Sequence, residues 1–197
     1  MQEAVQIGRR MGPKGSEIWL AMLDAAEVIL RDEGYGALTS RRVADHIGVK
    51  QRLVYYYFAT MDELIVETFR RLVARDLERL RNALASRHSL REIWDVCVHT
   101  TDTRLVSEFM ALANRVEDLR VEVADYIEAA RTMQVEALCA AMKQSGRDIG
   151  LAPVAAAIFA SSAALTVHRE AEIGLKTGHA EVMAVIDDFI ARLDPAE

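Results

Sequence analysis

Residues 38–64 read LTSRRVADHIGVKQRLVYYYFATMDEL, and Gly48 divides this stretch into two short amphipathic segments. In the first, Thr39 is placed to cap a helix whose inner face carries Val43, Ala44 and Ile47. Gly48 and Val49 make a tight turn. In the second segment, from about Lys50 to Tyr57, Val49, Val54 and Phe58 point inward, which leaves Lys50, Gln51, Arg52, Tyr55 and Tyr56 to face outward. Two short helices joined at a glycine form a helix-turn-helix pattern. A helix fits the DNA major groove, Gln and Arg can read base edges, and tyrosine hydroxyls suit phosphate. The same spacing also fits a helix pair with an ordinary polar face, so on spacing alone both readings stay open.

Outward from this stretch the pattern remains helical. Thr60-Met61-Asp62-Glu63 is a capping box, in which Thr60 accepts from the Glu63 amide and Glu63 reaches back to Thr60. It opens a long helix with the apolar stripe Ile65, Phe69, Leu72, Val73, Leu77, Leu80 and Leu84. On the other side, Ser16 caps a helix carrying Met22, Ala25, Ala26, Ile29 and Leu30, and Gly34 closes it. Residues 1–15, with Gly8, Gly12, Pro13 and Gly15 among Arg9, Arg10 and Lys14, have no apolar period and read as a flexible basic arm. Further on, Ser89-Leu90-Arg91-Glu92 is a second capping box, and helices are expected at roughly 90–101, 104–115, 118–145, 153–173 and 178–193. Pro153 suits a first helical turn, and Gly174 and Gly178 bracket the last loop. The reading is all-α, with about nine helices.

Charge is distributed unevenly. The net charge of the chain is −6, but residues 1–60 hold eight Lys/Arg against seven Asp/Glu, and residues 37–57 hold Arg41, Arg42, Lys50 and Arg52 against Asp45 alone. A local basic patch can meet phosphate while an acidic body keeps the protein in solution. The uncharged run Ala152 to Val167 is too short and too rich in Ala and Ser for a membrane span. Cys97 and Cys139 lack metal-ligand spacing, and no secretion signal supports a disulfide, so a reduced, cytoplasmic protein is expected. No phosphate loop, dinucleotide fingerprint, His-Glu-x-x-His or Gly-x-Ser-x-Gly occurs. Neither an enzymatic activity, a cofactor nor a metal site is expected.

Met22-Leu23-Asp24-Ala25-Ala26, Gly34-Tyr35, Thr39, Val43-Ala44, Ile47-Gly48-Val49, Val54-Tyr55-Tyr56-Tyr57-Phe58 and Asp62-Glu63-Leu64 together closely resemble the N-terminal domain of the tetracycline-repressor (TetR) family, over about residues 17–70. The resemblance implies a helix-turn-helix DNA-binding domain over 16–60 and an effector-binding and dimerisation domain over 61–197. It also implies roles. Thr39, Ser40 and Arg41 would begin the second helix beside the DNA backbone. Lys50, Gln51 and Arg52 would enter or flank the groove, and Tyr55 and Tyr56 would clamp phosphates. Five positions depart from the family pattern: Lys50 replaces the usual Ser, Arg52 the usual Gly and Met61 the usual Lys, and Trp19-Leu20 stand where basic residues are common.

By the same resemblance the last two helices would pair with a second copy, through the stripe that includes Val182, Val185, Ile186 and Phe189. Trp94, Phe109, Tyr126, Met133 and Phe159 are candidate effector contacts, with Ser162 and Thr166 as polar anchors and Cys97 and Met110 in the same set; each also suits plain core. The expected function is a homodimeric transcriptional regulator on double-stranded operator DNA, a repressor released by a small hydrophobic effector. An activator or effector-independent regulator of the same fold is the alternative, and a helical ligand- or metal-binding enzyme a more distant one.

Overall fold

Ser16 and Gly34 delimit the first helix as their chemistry predicts. In the computed structural model, which describes residues 12–100 and 102–195, helix α1 spans Glu17–Glu33. Ser16 Oγ accepts from the Trp19 amide at 3.3 Å, and Gly34, at φ 78°, returns its N–H to the Leu30 carbonyl. A single 3₁₀ turn, Tyr35–Ala37, leads to α2 (Ser40–His46) and α3 (Gln51–Tyr57). Thr39 Oγ1 caps α2 by accepting from the Arg42 amide at 3.1 Å, an interaction worth about 1 kcal/mol. The turn after α2 is a Schellman motif. Val49 N–H reaches the Ala44 carbonyl at 2.9 Å, Gly48 N–H reaches the Asp45 carbonyl at 3.4 Å, and Gly48 takes φ +71°, which an L side chain rarely adopts.

Helix α4 (Met61–Leu84) opens on the first capping box, shifted by one residue. Glu63 N–H donates to Thr60 Oγ1 at 3.1 Å, but the Glu63 carboxylate accepts from Ala59 N–H at 2.7 Å rather than from Thr60. The second capping box is not formed. Helix α5 (Ser89–Asp95) already includes Ser89, and His88 stands at its N-cap without a side-chain cap bond. The acceptor comes from elsewhere: Asp194 Oδ2 takes the Arg91 amide at 3.1 Å, and Oδ1 meets His88 Nδ1 at 2.7 Å. The helix expected over 90–101 also changes character, because α5 passes into a π turn at Val96–Thr100. Then follow α6 (Thr103–Ala113), α7 (Glu117–Ser145), α8 (Pro153–Glu172) and α9 (His179–Leu193). Among the described residues there are nine α-helices and no strand.

The chain divides into two compact units, one up to Arg70 and one from Arg71 onward. In the first, α1, α2 and α3 pack around Met22, Leu23, Ile29, Leu30, Val43 and Val54. Phe58 is 1 % exposed and stacks on Trp19 with ring centroids 6.0 Å apart, a burial worth about 1.5–3 kcal/mol. The family-atypical Trp19 is therefore a core residue. Leu64, Ile65 and Phe69 bury the first turns of α4 in this unit, which is why the unit runs on past Thr60. In the second unit α7 packs against α5, α6, α8 and α9. One apolar cluster joins Leu80 and Ala83 of α4 to Ile93, Ala130 and Ala137; another joins Leu90, Leu138 and Ala141 to Ile190 and Leu193 of α9.

Candidate functional site

The outer face of α3 carries the first candidate site. Val54, Tyr57 and Phe58 are buried, which turns Lys50, Gln51, Arg52 and Tyr56 to solvent and leaves Tyr55 half-buried. Lys50 occupies the N-cap without making a side-chain cap bond, as an ammonium must. Not every basic residue counted in the sequence is free for phosphate. Arg42 is held in a two-pronged pair with Glu33, at 2.6 and 3.1 Å, and Arg41 lies 3.8 Å from Asp45. The Arg42 hydrogen bond lowers the Glu33 carboxyl pKa, and the same bond raises that of Arg42. Lys50 and Arg52 pair with no carboxylate among the described residues.

Ser40 is the residue whose place the sequence did not foretell. It is 5 % exposed, so its hydroxyl does not lie open beside a DNA backbone. It donates to Tyr55 Oη at 3.0 Å and accepts from Gln51 Nε2 at 2.8 Å. Three of the expected DNA contacts are thus one hydrogen-bonded chain across the two helices. Thr39, exposed, is occupied as the α2 cap. The arm over 1–15 lies mostly outside the described residues, including Arg9 and Arg10. Its last residues are packed: Gly12 N–H donates to the Tyr56 carbonyl at 2.8 Å, and Lys14 pairs with Glu67 at 2.7 Å. A Cβ at residue 12 would run into the Tyr57 and Tyr56 rings, so glycine is needed there for close approach.

The second candidate site is a cavity of about 60 Å³ in the second unit, among α5, α7, α8 and α9. Helix α5 contributes Leu90, Ile93 and Trp94, α8 contributes Ala156, Ala157 and Ala160, and α9 contributes Ile186, Phe189 and Ile190. Cys97 of the π turn, Gln134 and Ser161 supply the polar atoms. Gln134 Nε2 donates to Cys97 Sγ at 3.4 Å, while Ser161 Oγ donates to Gln134 Oε1 at 3.3 Å and also to the Ala157 carbonyl. Burial pushes the Cys97 thiol up to about 11, more than the Gln134 bond lowers it, so the lining carries no charge at neutral pH.

Most of the residues expected around an effector are elsewhere. Trp94 and Cys97 line the cavity. Phe109 is fully buried in the core, and Met133 packs in the cluster around Leu80. Tyr126 packs there too, and its hydroxyl donates to the buried Asp76 carboxylate; burial first, then the Asp76 charge, drives its pKa upward. Met110, Phe159, Ser162 and Thr166 face solvent, Phe159 with 64 % of its surface exposed. The cause is helix phase. On α8, residues 156, 157, 160 and 161 share the inner face, and 159, 162 and 166 fall on the other side. The stripe on α9 divides likewise. Ile186 and Phe189 are partly buried against their own unit and line the cavity, while Val182 and Val185 are exposed. Gln134 was missed because a glutamine does not signal a pocket by itself.

Among the described residues no helix is long and apolar enough to cross a membrane, and no cluster of three or more His, Cys, Asp or Glu is placed to hold a metal. Residues 22–68 match the family model of bacterial regulatory proteins, tetR family. No curated protein sequence matches the chain. Among solved structures, a TetR transcription regulator from Haloarcula marismortui is 18 % identical with a TM-score of 0.72, over 87 % of this chain and 95 % of that one. SmeT, the repressor of the Stenotrophomonas maltophilia multidrug efflux pump SmeDEF, is 20 % identical with a TM-score of 0.64, over 87 % and 88 %. The SmeT–triclosan complex gives 20 % and 0.66, over 89 % and 91 %. Residues 22–68 thus match the tetR family of bacterial regulatory proteins, and the fold of TetR-type regulators is shared along most of the chain.

Proposed function

We propose that this regulator is a homodimeric repressor that leaves its operator when a small, uncharged, mostly apolar molecule enters the cavity among α5, α7, α8 and α9. The observation that carries the reading is the lining of that cavity: apolar on three helices, with Cys97, Gln134 and Ser161 as its polar atoms and no ionised group. Such a lining selects against charged metabolites, since burying an unpaired charge costs several kcal/mol or more. A cavity of about 60 Å³ is far smaller than the roughly 300–1,000 Å³ of drug-sized sites. A ligand of that size has to part the helices, and this need is what gives it different affinity for two arrangements. SmeT, a repressor with a triclosan complex among its structures, lends weight to a ligand of this kind.

Arg52, Gln51 and Tyr56 on the exposed face of α3 suit the major groove and its flanking phosphates. Val154, Ile158 and Phe159 on α8 and Val182 and Val185 on α9 are exposed apolar side chains, which suits pairing of the last two helices with a second copy. Two reading heads would then meet two half-sites of a pseudo-palindromic operator. The test is a thermal-shift screen of neutral phenols, alkanols and triclosan against carboxylate and phosphate analogues, followed by operator release in a mobility-shift assay. Stabilisation by neutral compounds together with loss of the shifted band is expected. Stabilisation by polyanions alone would refute the apolar-site reading, and a stabiliser that never alters DNA binding would refute the switch.

A further inference from the structure

Gln51, Ser40 and Tyr55 form a chain with a direction. Gln51 Nε2 donates to Ser40 Oγ at 2.8 Å, and Ser40 Oγ donates to Tyr55 Oη at 3.0 Å. Each hydroxyl has one proton to give. With the Ser40 proton spent on Tyr55, the Tyr55 proton is left to point outward. The reverse order also satisfies two hydroxyls, with Tyr55 donating to Ser40 and Ser40 to Gln51 Oε1. A DNA phosphate decides between them, because it only accepts. When Tyr55 donates to a phosphate, the whole chain runs from Gln51 through Ser40 and Tyr55 to the anion.

That direction fixes the face which Gln51 shows to a base. One N–H is held by Ser40, and Oε1 and the second N–H remain. This acceptor-donor pair matches adenine N6–H and N7. In the reverse order Oε1 is tied down and only donors face outward, which matches guanine O6 and N7. We propose that Ser40 is a positioning residue which transmits the phosphate contact of Tyr55 to Gln51, so that the chain selects adenine over guanine at one base of each half-site. The inference rests on the reading of α3 as the groove-facing helix. Backbone grip and base choice, which are separable in most interfaces, are here one unit.

The experiment is selection of binding sites from a random double-stranded DNA library by the full-length protein, followed by titration of the selected duplex with each base at each position. Wild type should prefer adenine to guanine by about tenfold or more at one position per half-site, and Gln51→Ala should erase that preference. Tyr55→Phe and Ser40→Ala should bring the adenine-to-guanine ratio at the same position towards unity and leave preferences elsewhere in the site intact. Ser40→Thr, which keeps the hydroxyl, should restore it. Tyr55→Phe changes one atom and guards against misfolding of the Ser40 variant. If Tyr55→Phe lowers affinity for the adenine and guanine duplexes equally, or wild type prefers guanine there, the proposal is overturned. If Gln51→Ala and Arg52→Ala alter preference at no position, the groove-facing reading of α3 fails along with it.

Discussion

Two glutamines, Gln51 and Gln134, are each held by small side chains, in opposite surroundings. Gln51 is exposed on α3 and is held by Ser40, eleven residues away across one glycine turn. Gln134 lines the cavity and is held by Cys97 and Ser161, 37 and 27 residues away on other elements. A reading surface can thus be laid down by a local motif, because two short helices and one Schellman turn settle which side chains meet. A cavity needs four helices at the right rotation. Its polar atoms converge only when the whole unit is packed.

Perturbing the second unit at its cavity should therefore spare the first. Phe189→Glu places a charge among Leu90, Leu138 and Ile190. Lost packing alone costs about 3–5 kcal/mol, and the buried carboxylate adds to it. Hydrogen exchange should report loss of protection throughout residues 71–195 with residues 12–70 still protected; equal loss in both would break the comparison. Because Phe189 packs against its own unit while Val185 is exposed, Val185→Asp is the variant to use for splitting a dimer, read by light scattering, and it should leave the melting temperature of the fold little changed.

A smaller effect is expected at the Tyr126–Asp76 pair. Tyr126→Phe removes the hydroxyl that donates to a buried carboxylate, and an unsatisfied group of this kind costs about 1–3 kcal/mol. Thermal denaturation should show the loss, and Asp76→Asn in the same background should recover part of it. A Tyr126→Phe variant as stable as wild type would mean that the carboxylate finds water instead.

Helix by helix the fold was legible, since caps, glycines and apolar period are local signals. Ser16, Thr39, Gly34 and Pro153 do at their helix ends what their chemistry predicts. The α3 surface was legible for the same reason, apart from the chain through Ser40. Asp194 could not be seen as the cap of α5, nor Gln134 as a cavity residue, because both depend on partners remote in sequence. Phe159 faces solvent for a subtler reason. An Ala-rich helix such as α8 has little apolar contrast between faces, so its rotation is set by packing and not by pattern.

Gly48 sharpens the local side of the comparison. Its φ of +71° is needed by the Schellman turn, and a Cβ there would meet no neighbour. Gly48→Ala should destabilise the first unit by about 1–2 kcal/mol through backbone strain alone, since the added Cβ would touch nothing. Urea denaturation measures it, and a neutral result would mean that the turn has another conformation.

The smallest effect belongs to Glu33 and Arg42. Their hydrogen bond holds the Glu33 carboxyl below its ordinary 4.5. The stabilisation is therefore present above that ordinary value and is lost as pH falls through the lower, folded one. Both groups are solvent-exposed, so added salt should flatten the dependence. Comparing acid titrations of wild type and Glu33→Gln would show it; an identical pH profile would mean the pair contributes nothing.

The reach of Asp194 back to His88 and Arg91, across 106 and 103 residues, has a consequence for synthesis. A chain leaving the ribosome has the whole first unit in hand once Phe69 and Arg70 emerge, and domains generally fold as units from the N-terminus. The second unit must wait. The N-terminal end of α5 lacks its acceptor, and the cavity lacks Ile186, Phe189 and Ile190, until α9 and Asp194 have been added. The nascent chain thus acquires α2 and α3 well before the cavity proposed to bind an effector, and a chain truncated before α9 should give a protease-resistant first unit beside a second unit that is digested.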